Sequence, residues 1–522
     1  MGALTSRTSA AEATGAGATP SPGLRIAGAF EVDLRSLALL RILLGCMILV
    51  DLAIRAQALA DHYSDAGLLP RAVQARYFLD PYPGRFSLHM LSGDVAFQGC
   101  LFALAAVFAV LLMIGYRTRV FLLLSWLLLI SLHNRNELIE TGGDYLLRLT
   151  CFWALFMPLG ARWSVDRARG RACGYASDRH VSLATFAFIA QMAIVYVLSA
   201  VHKDHAHWRV DFLAIHYALH IDAYATPLGI WMRQFGELNK LMTKATLLFE
   251  FVGPFFVFAC GVLSALPGLA ALHRYQQRVR MLTVLAFMWF HFCLGAALAL
   301  GTFPWFAILV WTALIPTWAW DHLGKGHVAA GDVSARPSSI HPAAQVLAAL
   351  CLFYVGLWNL RTVDGRAFAP WVSGKAASFM PDARPAIQAM RLDQHWGLFA
   401  PYPRTSDGWY VIVGKQLDGG EVDLQRPDGK LTWRKPKYVS FSYPTFRWRK
   451  YFRNIRRGSR RNRAQLPVFT TYLCNRFNDA HAGDTRIRTV DLYFMRMKTQ
   501  RRGGYRGPDK RLLWHRTCQL ER

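Results

Sequence analysis

Apolar residues in this chain gather into runs that approach the thickness of a bilayer, separated by polar and basic loops. The runs lie at Leu37 to Ile54, Phe97 to Ile114, Val120 to Leu132, Tyr145 to Leu159, Val181 to Ala200, Ala245 to Leu263, Met281 to Leu300, Phe303 to Trp318 and Ala343 to Leu360. A helix satisfies every backbone N–H and C=O within one segment, so each run predicts a membrane helix. Together they predict an all-α polytopic membrane helical bundle of about nine spans over residues 31–360. Residues 1–30 are rich in Ala, Gly, Thr, Ser and Pro and predict a disordered N-terminus. Met1-Gly2-Ala3-Leu4-Thr5-Ser6 also fits the loose N-myristoylation pattern.

From residue 361 the pattern changes. Trp409 to Val413, Glu421 to Leu424 and Thr489 to Phe494 read as strands, with Asp418-Gly-Gly420 as a hairpin-like turn. Between them, Phe446 to Arg457 sets Trp448, Phe452 and Ile455 in one apolar stripe among arginines. Two readings stay open there: a helix lying on a membrane surface, or a solvated basic face packed on a small β domain. Residues 361–522 therefore predict a small, basic C-terminal α+β extramembrane domain.

The formal net charge is +27, and most of the excess lies from Arg361 onward. Such basicity suits nucleic acid or an anionic membrane surface. The preceding membrane runs favour lipid headgroups, with no nucleic-acid partner. Arg117 and Arg119, the arginines from Arg162 to Arg179, and Arg274, Arg278 and Arg280 occupy loops that alternate onto one side. The positive-inside rule makes that side cytoplasmic, together with the N-terminus. The loops holding Asp144 and Lys203, and the C-terminal domain, then lie on the extracytoplasmic side of what reads as a bacterial inner membrane. The nine cysteines form no CxxC pair, and most sit inside apolar runs. Cys474 and Cys518 fall in the tail and can pair if the tail is extracytoplasmic.

Candidate chemistry centres on Val201-His-Lys-Asp-His-Ala-His-Trp-Arg-Val-Asp211, which follows a membrane run directly. A desolvated lysine there can be neutral near pH 7, so Lys203 is a candidate general base. The alternatives are an ion pair with Asp144 or Asp204, or an amine reaching the headgroups. His202, His205 and His207 match no standard metal spacing, and no metal site is expected. His291 lies within an apolar run, either as a hydrogen-bonded core histidine or as a cofactor contact. Glu250 is an intramembrane carboxylate that either pairs with an arginine such as Arg148 or Arg41 or lines a pocket. Trp305 and its aromatic neighbours suit an interface belt. There is no Walker A loop, GxGxxG after a strand, or HExxH.

Four stretches carry a family resemblance: Arg162-Trp-Ser-Val-Asp166; Val201 to Trp208; Phe290-His291 with Gly301-Thr-Phe-Pro-Trp305; and Trp396-Gly-Leu-Phe-Ala-Pro401 with the Asp418-Gly419 turn. In order and spacing the chain resembles the HTTM (horizontally transferred transmembrane domain) family, related to the membrane domain of vitamin K-dependent gamma-carboxylase. The resemblance implies quinone-linked carboxylation, or related oxidative chemistry, on a peptide or protein substrate. It implies a reduced, vitamin K-like quinone as cofactor and Lys203 as the base. Asp144 is the second catalytic candidate, and His291, Glu250 and Trp305 are the cofactor-binding candidates. Where the carboxylase has a histidine beside an asparagine, this chain reads Gly142-Gly-Asp144. The alternative function is a non-catalytic membrane partner or maturation factor that holds another protein through the basic tail.

Overall fold

The computed structural model describes residues 20–82, 84–172, 175, 177–324, 342–363, 384–456 and 459–520. Five helices are long and apolar enough to cross a membrane: Leu34–Ala56, Val95–Ile114, Leu183–Val201, Ala270–Ala297 and Pro342–Thr362. Their starts follow local chemistry. Asp33 caps the first by accepting Arg35 N–H at 2.7 Å, and Asp94 caps the second by accepting Phe97 N–H at 3.1 Å. Gly115, at φ 73°, ends the second helix in the left-handed conformation that glycine adopts without penalty. Outward side chains such as Leu104, Val107, Leu350 and Phe353 are exposed and apolar.

The other four expected runs form shorter or interrupted helices. Val120 to Leu132 lies within Thr118–Arg135, whose last turn is polar. Tyr145 to Leu159 yields a 13-residue helix, Gly142–Ala154. Ala245 to Leu263 breaks after Val252 into a 3₁₀ turn and the short helix Ala259–Leu263. Gly253-Pro254 explains the break, because proline has no N–H to donate to the ladder. Phe303 to Trp318 likewise stops short of Pro316. The disorder expected for residues 1–30 is corrected in part, since Pro22–Ala29 is a helix. It is held by the Arg280 guanidinium, which donates to the Ala29 carbonyl and, at 2.5 Å, to that of Glu31. The myristoylation motif lies outside the described residues.

Leu34–Ala56 packs on Val95–Ile114, and Leu183–Val201 packs on both Gly236–Val252 and Pro342–Thr362. The C-terminal domain is an antiparallel sheet whose central strands are Ser406–Gln416 and Ile487–Thr499. The short strand Glu421–Asp423 flanks one side, joined through the expected Asp418-Gly-Gly420 turn. Tyr505–Thr517 flanks the other as an exposed edge, and the sequence reading did not anticipate it. Helix Gln465–Asp479 packs on the sheet, and a Cys474–Cys518 disulfide ties it to the last strand.

One continuous apolar core runs from the membrane helices into this sheet. Its bridge is helix Phe446–Arg456. Trp448, Phe452 and Ile455 are buried, with Phe452 against Tyr410 and Phe469. The membrane-surface reading of this stripe is therefore corrected, because its apolar face is consumed by the protein's own core. The other reading holds in part: the helix packs on the β domain through Phe452 against Tyr410, but Arg447 and Arg449 are buried and not solvated.

Candidate functional site

Where the tail roofs the membrane helices lies a chamber of about 490 Å³. That volume is typical of pockets that enclose a small molecule. Phe290, Leu294, Leu298, Phe303 and Phe399 give it apolar walls, and Lys203, Glu250, His291 and Tyr196 supply polar groups. The segment Val201 to Trp208 meets the Trp396 to Pro401 segment here. Trp208 Nε1–H donates to the Phe399 carbonyl at 3.1 Å, and the rings of His205 and Tyr402 lie 4.2 Å apart. Phe399 adopts φ 57°, a left-handed conformation unusual for a bulky residue and concentrated at functional sites.

Lys203 follows directly on helix Leu183–Val201, one turn beyond Ser199. Its Nζ donates to Ser199 Oγ at 2.8 Å and to the Glu250 carboxylate, and lies 4.9 Å from the centre of the Trp208 ring. The amine is only 1% exposed. Burial pulls its pKa below the ordinary lysine value, while Glu250 opposes that shift. The expected partnerships are corrected accordingly. Lys203 pairs with Glu250 and not with Asp144 or Asp204, and Glu250 takes neither Arg148 nor Arg41. Arg41 instead donates to the carbonyls of Leu159, Arg162 and Trp163.

Asp144 belongs to a separate buried cluster behind the chamber wall. Arg55 reaches Asp51 at 2.7 Å and Asp144 at 2.5 Å. Arg447, from the C-terminal domain, reaches Asp144 at 2.9 Å and also binds Asp51. His133 stands 3.6 Å from the same carboxylate. Ligand atoms of Asp51, His133 and Asp144 lie close enough to surround a cation, but the two guanidiniums already satisfy the carboxylates. Asp144 also closes its own helix start by accepting Thr141 N–H at 2.6 Å. It is thus a structural anchor, and its neighbours Gly142 and Tyr145 line the chamber in its place.

His291 does line the chamber. Trp311 Nε1–H donates to Tyr196 Oη at 2.7 Å, and Tyr196 Oη lies 2.7 Å from His291 Nε2. Indole only donates, so the tyrosine proton is free to go to Nε2. The other ring nitrogen, Nδ1, is buried and has no partner among the described residues. Trp305 is 45% exposed, stacks edge-on with Phe292 and does not line the chamber. Its position fits the interface belt and not a cofactor contact. Sequence reasoning missed Tyr196 and Arg447, whose partners are set by tertiary packing, whereas Arg55 reaches Asp51 at i, i+4 within its own helix.

No protein-family model, no curated protein and no solved structure matches the chain.

Proposed function

We propose that this chain is an integral membrane enzyme of the HTTM and vitamin K-dependent carboxylase-like class. Lys203 acts as general base in a partly open chamber that takes a reduced quinone. The observation that carries this reading is a buried lysine amine set in the wall of an apolar chamber of about 490 Å³. The lining fits the group: the Lys203 amine, the Glu250 carboxylate and aromatic walls. A bound reduced quinone supplies an ionisable hydroxyl and, once deprotonated, the electrons for reaction with oxygen. Around it, Glu250 takes the proton that leaves the ammonium, so that Lys203 stands as a free amine. Ser199 holds that amine in place. The acceptor of the chemistry is a peptide or protein.

Counting the four shorter apolar helices as crossings gives nine spans, with the N-terminus cytoplasmic and the C-terminal domain outside. The Cys474–Cys518 disulfide favours that side for the tail. A second reading, a non-catalytic maturation factor, draws support from the exposed basic edge strand Tyr505–Thr517, which is open to pairing with a partner.

The test titrates purified full-length protein with a reduced naphthoquinone, following tryptophan quenching and oxygen uptake. Wild type binds and turns over, whereas Lys203→Met binds but does not. Absence of quinone binding by wild type, together with an unaltered phenotype of Lys203→Met in cells, removes the enzymatic reading.

A further inference from the structure

The roof of the chamber holds more positive charge than its surroundings neutralise. Helix Phe446–Arg456 sets Arg449, Arg453 and Arg456 at i, i+4 and i+7, on one face. Arg447, which anchors the helix to Asp51 and Asp144, projects from the far side. Arg449 and Arg453 line the main chamber. All three line an adjoining cavity of about 20 Å³, together with Arg404, Asp407 and Tyr443.

Their contacts are with neutral groups. Arg449 donates to the Ala223 carbonyl at 3.0 Å and to that of Ala299. Arg453 donates to the Tyr224 hydroxyl. Arg456 lies 4.0 Å over the Phe494 ring. The Nε atoms of Arg453 and Arg456 are buried and have no partner among the described residues. Among the described residues none of the three forms an ion pair with a carboxylate. Asp407, which lines the same small cavity, has one oxygen engaged by Ala223 N–H at 2.8 Å. Arg449 is buried and Arg453 and Arg456 are half-buried; a cation withdrawn from water without a counter-ion is costly, and guanidinium forks match the geometry of an oxyanion.

We propose that Arg449, Arg453 and Arg456 form a binding site for a carboxylate-type oxyanion at the roof of the chamber. The cavity beside them has room for about one water-sized group, so the anionic head sits at its mouth, in the larger and mostly apolar chamber that Arg449 and Arg453 also line. The anion is therefore the acidic head of an amphiphile whose body fills the chamber, or a small free oxyanion. This goes beyond the quinone reading, because a neutral quinone has no permanent anionic group, and the site makes no use of Lys203.

The test uses full-length protein in a neutral maltoside detergent, with decanoate, decanol, acetate and phosphate as probes and no quinone present. Thermal midpoint and direct binding are read for wild type, Arg453→Gln and Arg456→Gln. Decanoate is expected to bind at least about tenfold more tightly than decanol, and each glutamine variant to lose about that factor for decanoate alone. A shift with acetate or phosphate that decanoate does not exceed assigns the site to a free ion. No preference for any oxyanion over decanol, or an undiminished preference in both variants, overturns the proposal. Should the variants fail to fold, the wild-type comparison of decanoate with decanol decides by itself.

Discussion

Arg447→Met is the sharpest test of how the tail is fastened to the membrane domain. In the native protein two carboxylates, Asp51 and Asp144, face two guanidiniums, Arg55 and Arg447, and each of these four side chains is at most 1% exposed. The cluster is neutral as a whole. Removing Arg447 leaves a buried negative charge that Arg55 alone does not cancel, a change that costs about 3–5 kcal/mol. Unfolding entropy near ~2 cal/mol/K per residue, over 522 residues, converts that loss to a fall of about 3–5 °C in the thermal midpoint. The assay is tryptophan fluorescence against temperature in detergent, run beside the double variant Arg447→Met/Asp51→Asn. The double variant restores neutrality around Arg55 and Asp144 and is expected to recover most of the loss. A midpoint unmoved by Arg447→Met, or a double variant no better than the single, refutes the argument from charge balance.

Three further outcomes are expected. Lys203→Met strands the Glu250 carboxylate and lowers the midpoint by a comparable amount. Lys203→Met/Glu250→Gln regains the midpoint without regaining quinone turnover, and full turnover in that double variant would exclude Lys203 as the base. Burial pushes the Asp407 carboxyl up from 3.8 to about 6, so the folded state binds its proton more tightly than the unfolded state does. Stability from this group is therefore greatest below the unfolded value and declines by about 3 kcal/mol as pH rises through the folded one. Asp407→Asn should flatten that slope in midpoints measured across the range, and an unchanged slope counts against it. The Cys474–Cys518 bond spans 44 residues, and chain entropy assigns it about 4 kcal/mol. Cys518→Ser should lower the midpoint. Protein taken from cells under denaturing, non-reducing conditions should resist maleimide at both cysteines, and ready labelling would contradict an extracytoplasmic tail.

The long apolar helices were legible because lipid and span length leave an unbroken run few alternatives. Gly253-Pro254 shows where that reasoning fails: hydropathy alone passes over a residue that cannot donate to the helix ladder. The apolar stripe of Phe446–Arg456 was also legible, but its destination was not, since a membrane surface and a protein core ask for the same periodicity. Lys203 stood out through its place beside a span, yet its partner did not. Glu250 and Asp144 are equally plausible carboxylates in sequence, and only the packing of Gly236–Val252 on Leu183–Val201 chooses between them. The edge strand Tyr505–Thr517 was hidden by Gly507, Pro508 and its dense charges, which weaken any strand signal.

The fastening of Arg447 to Asp144 also imposes an order on biosynthesis. Asp144 leaves the ribosome 303 residues ahead of its partner. At about 5–20 residues per second, that interval lasts roughly 15–60 s. Throughout it the inserted helices hold one acid too many, and the hollow between them has no lid. Nascent chains that stall before Arg447 should be marked for quality control by that unmet charge, so that only completed polypeptides persist in the bilayer.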